Sequence, residues 1–121
     1  MISLNMGFIR YKRYRFHHSR EFLRRAKERK LFASVEETID HVEEAVKRLG
    51  ILVSDFSRRG TRFEKHLLCI LRKFGVMATV PIVIDHRGIT ITTKTIFASN
   101  WDQRRIFKVE KQKLKERRGK R

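Results

Sequence analysis

Val76-Met77-Ala78-Thr79-Val80-Pro81-Ile82-Val83-Ile84, then Asp85-His86-Arg87-Gly88, then Ile89-Thr90-Ile91-Thr92-Thr93-Lys94-Thr95-Ile96-Phe97 is the stretch on which the fold turns. Two runs of β-branched and apolar residues flank a four-residue polar segment that ends in Gly, the pattern of a β-hairpin. In the second run Ile89, Ile91 and Thr93 alternate with Thr90, Thr92 and Lys94, as in a half-buried strand. Pro81 has no amide hydrogen to give, so the first run is expected to carry an edge or a bulge at that point.

Upstream of this hairpin the pattern divides. Phe63, Leu67, Ile70, Leu71 and Phe74 fit a helix ending at Gly75, while His66–Leu71 also fits a buried strand, and periodicity does not choose between them. A helix there would turn the hairpin into the wing of a winged-helix arrangement. Ser-Asp-Phe-Ser-Arg-Arg-Gly-Thr-Arg, 54–62, reads as a loop.

Two helices are expected before that loop. Ser34 followed by Glu37 is a capping box, Val35, Ile39, Val42, Ala45, Val46 and Leu49 recur at helical spacing, and Gly50 is the stop. Its outer face is acidic early (Glu36, Glu37, Asp40, Glu43, Glu44) and basic late (Lys47, Arg48), which suits the helix dipole. That acidic face is suited to a basic segment of this chain or of a partner. The earlier helix starts after Ser19 and runs from Arg20 to Leu31 on a narrow apolar stripe of Phe22, Leu23, Ala26 and Leu31. Ahead of it, residues 7–16 read as an aromatic and basic strand, with Tyr14 and Phe16 on one side and Arg13 and Arg15 on the other.

The charge sits at the two ends. Residues 10–30 carry ten Lys/Arg against Glu21 and Glu28, and residues 104–121 carry ten against Glu110 and Glu116, a net of +8 each. Residues 31–103 hold ten Lys/Arg and nine Asp/Glu, so the formal +17 of the chain comes from its extremities. Two cationic segments around a neutral middle are the layout of a protein that neutralises phosphates. From Trp101 or Gln103 onward the composition favours a helix with Ile106, Val109 or Glu110, and Leu114 as weak anchors, and past Leu114 no apolar residue remains to dock it. The expected organisation is therefore one α+β domain over residues 1–102: an N-terminal strand, two helices and an antiparallel β-meander. A basic C-terminal helical extension follows over 103–121, partly disordered until nucleic acid orders it.

Candidate binding residues follow from this layout. Arg10, Lys12, Arg13 and Arg15 interleave with Tyr11 and Tyr14, cations for phosphates beside rings for unpaired bases, which suits RNA or single strands better than a duplex groove. Arg20, Arg24 and Arg25 on the first helix, and Arg104, Arg105 and Lys108 in the tail, extend the cationic surface, and Arg58, Arg59 or Arg87 could meet a phosphorane. His17 and His18 stand at a strand-to-helix junction among cations, where a neutral imidazole can act as a base. An acidic protein is the alternative partner for the basic arms.

Other chemistries find no footing. Cys69 is the only cysteine and sits between Leu68 and Ile70 as a small buried hydrophobe, which points to a reducing, cytoplasmic setting. His41, His66 and His86 have no metal-ligand spacing, so no metal and no cofactor are expected. Thr92 stands two before Lys94 where a restriction-type nuclease needs an acid. The chain has no apolar run of about 20 residues, and its first six residues show no basic leader, so neither a membrane span nor a signal peptide is expected.

His17-His18 leading into Arg24-Arg25-Ala26-Lys27-Glu28-Arg29-Lys30-Leu31, the helix from Val35, then Pro81–Asp85 and Ile91–Phe97 give an order that resembles the RelE-like toxin ribonucleases over residues 7–97. The resemblance is one of pattern. It implies RNA cleavage without metal by basic and His residues on the sheet and first helix, with His17, His18 and Thr95 as the catalytic candidates here.

Overall fold

The computed structural model describes residues 7–11, 13–53, 66–73, 75–85 and 87–119. It is α+β, with three helices and one mixed sheet. In chain order the elements are β1 (Gly7–Ile9), β2 (Arg15–His18), α1 (Arg20–Arg29), α2 (Val35–Arg48), β3 (Ile51–Val53), β4 (His66–Lys73), β5 (Val76–Asp85), β6 (Thr90–Thr93), β7 (Phe97–Ala98) and α3 (Trp101–Gly119). The sheet order is β1-β3-β4-β5-β6-β2, with β7 also on β5.

The described part of the ambiguous segment, His66–Lys73, is a strand. β4 pairs antiparallel with β5 from His66↔Val83 to Lys73↔Val76, so the winged-helix alternative falls. A strand wins because alternation sends Cys69 and Leu71 to one face and Ile70 to the other, and helices cover both faces there. The strand expected over 7–16 is instead two: β1 closes one edge beside β3, and β2 closes the opposite edge, parallel to β6. Every described pair except β2–β6 is antiparallel.

That split constrains the shape of the sheet. Five strand spacings in a flat sheet are about 24 Å, whereas the six residue steps from Ile9 to Arg15 reach about 21 Å at most. The sheet must therefore curl to bring its edges closer. Tyr11 and Tyr14, T-shaped with ring centroids 4.9 Å apart, lie in the crossing and pack on the main core. Burial first, and Tyr14 second, raise the Tyr11 phenol above its ordinary value.

Pro81 marks a bulge. β6 pairs with β5 through Ile82↔Thr93 and β7 through Thr79↔Phe97, so Lys94, Thr95 and Ile96 oppose only Val80 and Pro81. Pro81 accepts the Lys94 N–H at 2.9 Å but can return no donor. The Lys94 carbonyl instead accepts from the Ser19 hydroxyl at 3.0 Å, and Ser19 Oγ in turn caps α1 by accepting the Phe22 N–H at 3.1 Å. The Arg29 guanidinium bonds the Ile96 carbonyl, so α1 holds the bulge at both ends. Ile89, at φ 52° a strained conformation for a β-branched residue, presents its carbonyl to the Arg15 N–H at 2.9 Å where the parallel pairing begins.

α1 and α2 cover one face of the sheet. Phe22, Ala26, Val42 and Val46 pack there on Cys69, Leu71, Ala78, Val80, Ile82, Ile84 and Ile91. Ser34 caps α2 through the Glu37 N–H at 3.0 Å, while Glu37 reaches back to the Ala33 N–H rather than to that of Ser34. α3 takes part of the other face, where buried Phe107 meets Ile70, with Leu49, Met77 and Ile106 around them. The boundary expected at 102/103 falls inside α3, whose residues 107 and 110 are buried. No helix among the described residues is long and apolar enough to cross a membrane.

Cys69 is fully buried, and desolvation pushes its thiol up to about 12. A thiol reagent at pH 8 is expected to leave the folded protein unlabelled and to label this one cysteine in urea. The sign of its pH effect follows. The buried site favours the neutral thiol, so this group leaves stability untouched below the ordinary value of 9.0, and stability falls as pH rises from there toward about 12.

Candidate nucleic-acid interface

Strand alternation places the charged side chains before any contact is considered. Phe16 and His18 of β2 point to the face covered by α1 and α2, beside Ile91 and Thr93, while Arg15 and His17 point to the other face beside Thr90 and Thr92. On β5 that second face carries Thr79, Val83 and Asp85. Thr79 is where α3 docks: its hydroxyl donates to Gln103 Oε1 at 3.0 Å and pairs with the Ser99 hydroxyl at 2.8 Å. Exposed Arg15 and His17 therefore share a sheet face with α3, and their register partners on β5, Asp85 and Val83, lie six and four residues beyond Thr79, about 20 and 13 Å along the strand.

α3 is oriented by its first turn. Asn100 Oδ1 accepts the Gln103 N–H at 2.8 Å and Gln103 Oε1 accepts the Asn100 N–H at 2.9 Å, a reciprocal capping box. With Gln103, Ile106, Phe107 and Glu110 turned to the sheet, helical phase turns Trp101, Arg104, Arg105 and Lys108 outward. Trp101 is 66% exposed, the largest exposure of any large hydrophobic described. The Arg105 guanidinium lies 5.5 Å from its ring centre, and a shallow groove of about 340 Å³ runs between Trp101, Arg104, Arg105, Lys108 and Val109. Among the described residues no ion pair uses Arg104, Arg105 or Lys108, so their charge is available to an anion.

The sequence-expected residues divide between the two faces. Arg104, Arg105 and Lys108 meet in the α3 groove, and Arg13 and Arg15 are exposed near the β2 edge. Arg10 is exposed but lines a separate cavity. Tyr11 and Tyr14 spend much of their ring surface on the core. Arg20, Arg24 and Arg25 belong to α1, on the opposite side of the sheet. There Arg24 and Arg25 grip Glu21 at 2.6 and 2.7 Å and lie 3.6 and 3.4 Å from Glu28. The hydrogen bonds from Arg24, then Arg25, lower the Glu21 carboxyl, and its bond to Arg24 raises that guanidinium. Lys12, Arg58 and Arg59 lie outside the described residues.

The histidine pair is split across the sheet. His18 lies between the Phe16 and Phe22 rings at 5.9 and 5.1 Å, its Nε2–H donating to Glu43 Oε2 at 3.0 Å and its Nδ1 bonded to the Thr93 hydroxyl at 2.8 Å. Hydroxyl, imidazole and carboxylate in a row copy the order of a nucleophile relay. Thr93 is completely buried, however, so its hydroxyl meets no substrate, and the chain of bonds ties β2 and β6 to the acidic face of α2. His17 is exposed on the open face beside Arg15, and Thr95 is half-buried in the bulge. No group of three or more His, Cys, Asp or Glu among the described residues is placed to hold a metal ion.

Trp101 is legible as a helix start but not among the binding residues the sequence suggests, although Asn100-x-x-Gln103 is a capping signature that sets the phase of the helix and so the outward stripe 101, 104, 105, 108. Comparison with family models, curated proteins and solved structures finds no match to this chain.

Proposed function

We propose that this protein binds single-stranded nucleic acid, RNA in preference to duplex DNA, along the outer face of α3 and the adjoining open face of the sheet. One observation carries the reading: the lone tryptophan is exposed among three cations that form no ion pair among the described residues, on the first turns of the most basic helix. An indole in water stacks on an unpaired base, while Arg104, Arg105 and Lys108 neutralise the phosphates on either side. Arg15 and Arg13 continue the cationic track across β2. Bases paired inside a duplex offer the indole no face to stack on.

Because Trp101 is the only tryptophan, its fluorescence reports on this face alone. Single-stranded RNA is expected to quench it saturably, and duplex DNA of equal length to quench it far less. The logarithm of the affinity should fall linearly with the logarithm of salt concentration, by about 0.7 for each phosphate contacted. An affinity flat in salt would sink the proposal. Quenching absent with RNA, but a blue shift on anionic vesicles, would assign the face to a lipid surface instead.

RNA cleavage without metal is a second reading, and it rests on His17, the imidazole that stands exposed beside Arg15 on the open face. RNA that remains intact in the presence of EDTA would leave binding as the whole activity.

A further inference from the structure

β3 is three residues long and meets β4 at Leu52↔Leu68, so the end of β4 from Ile70 onward runs past it along an edge that no described strand pairs. A cavity of about 500 Å³ opens there, between the end of α2 and the middle of α3. Its size lies within the range of small-ligand sites, roughly 300–1,000 Å³. It shares no lining residue with the groove at Trp101.

The lining is two-sided in character. Half-buried Ala45 and Leu49 give it apolar surface above the buried Ile70, Leu71 and Phe107, and Arg10, Lys47, Arg48, Arg72 and Lys111 form a cationic rim. The acid nearest them, Glu44, is already held by Arg48 at 3.2 Å. The carbonyl end of α2 would repel an anion, but Ala45 O accepts both the Leu49 N–H at 2.9 Å and the Gly50 N–H at 3.0 Å, and Lys47 and Arg48 stand over the same turn. These five cations come from four parts of the chain, the β1–β2 crossing, α2, β4 and α3, which no single stretch of sequence brings together.

We propose that this cavity binds a nucleoside phosphate, with the base against Ala45 and Leu49 and the phosphates held by Arg10, Lys47, Arg72 and Lys111. A bare phosphate would leave Ala45 and Leu49 in water, and a purely apolar ligand would leave the rim without a counter-charge. A molecule flat and weakly polar at one end and multiply anionic at the other satisfies both. The site is independent of the face at Trp101 and stands whether or not that face binds RNA.

Calorimetric titration of the full chain with adenosine triphosphate tests it, in parallel with adenosine alone and inorganic triphosphate. Expected is saturable one-to-one binding, at least tenfold tighter than either control, weakened at least tenfold by Lys47→Ala with Arg72→Ala. Both side chains are exposed, so the pair leaves the core intact. Arg104→Ala with Arg105→Ala removes the same charge elsewhere and should change the affinity less than twofold, as should Trp101→Ala. Equal binding of inorganic triphosphate, equal losses from both double variants, or loss on Trp101→Ala would each overturn the assignment.

Discussion

Trp101→Ala weakens binding of single-stranded RNA by about 5- to 150-fold, the equivalent of the 1–3 kcal/mol that one base–aromatic stack contributes, and leaves the salt slope unchanged. The reasoning separates the two halves of the interface. Stacking is a neutral contact and moves the intercept of the salt plot, whereas each cation moves its slope. Trp101 is 66% exposed and its substitution opens no cavity, so the melting temperature should stay the same. Fluorescence polarisation of a labelled strand across a salt series checks all of this at once, with Trp101→Phe retaining most of the affinity through its smaller ring. A slope that changes along with the intercept, or an unchanged affinity, would show that the indole meets no base.

Phe22→Ala lowers the stability of the folded chain by about 3–5 kcal/mol, the usual range for a fully buried phenylalanine. Phe22 is 0% exposed, and its ring lies on that of His18 at 5.1 Å. Its backbone N–H is the one that the Ser19 hydroxyl accepts, in the same cluster that holds the Lys94 carbonyl beside Pro81. Truncation therefore empties the space under α1 and loosens the ring that keeps His18 aligned on Thr93 and Glu43. Urea unfolding at neutral pH measures the loss. Phe22→Leu, which keeps most of the volume, should cost less than half as much. A loss below about 1 kcal/mol for the alanine variant would mean that α1 contributes little to the core.

Much of the local structure was legible in the residues. Ser19 and Ser34 cap the two helices at the positions their spacing marks, Gly50 ends the second at φ 101°, and Pro81 announces the bulge. Residues 63–74 were not legible, because a strand buried on both faces and a buried helix share one apolar composition, and only the pairing of the described part, His66–Lys73, with β5 separates them. β3 is too short to show a period at all. The parallel pairing of β2 with β6 leaves no local trace either, since a strand that pairs with a distant neighbour looks the same in sequence whichever direction that neighbour runs.

The candidate sites repeat the contrast. That the two ends of the chain are cationic is a property of composition, and charge, capping residues and helical phase lie within single stretches of sequence, where adjacent positions set them. Which cations act together is a different matter. The curled sheet turns Arg15 and His17 to the side of α3, turns α1 with its carboxylate-bound arginines to the other side, and gathers Arg10, Lys47, Arg72 and Lys111 around one cavity. Those groupings arise from strand order and from which face each helix covers, and both are decided by long-range burial of apolar side chains that no local pattern records.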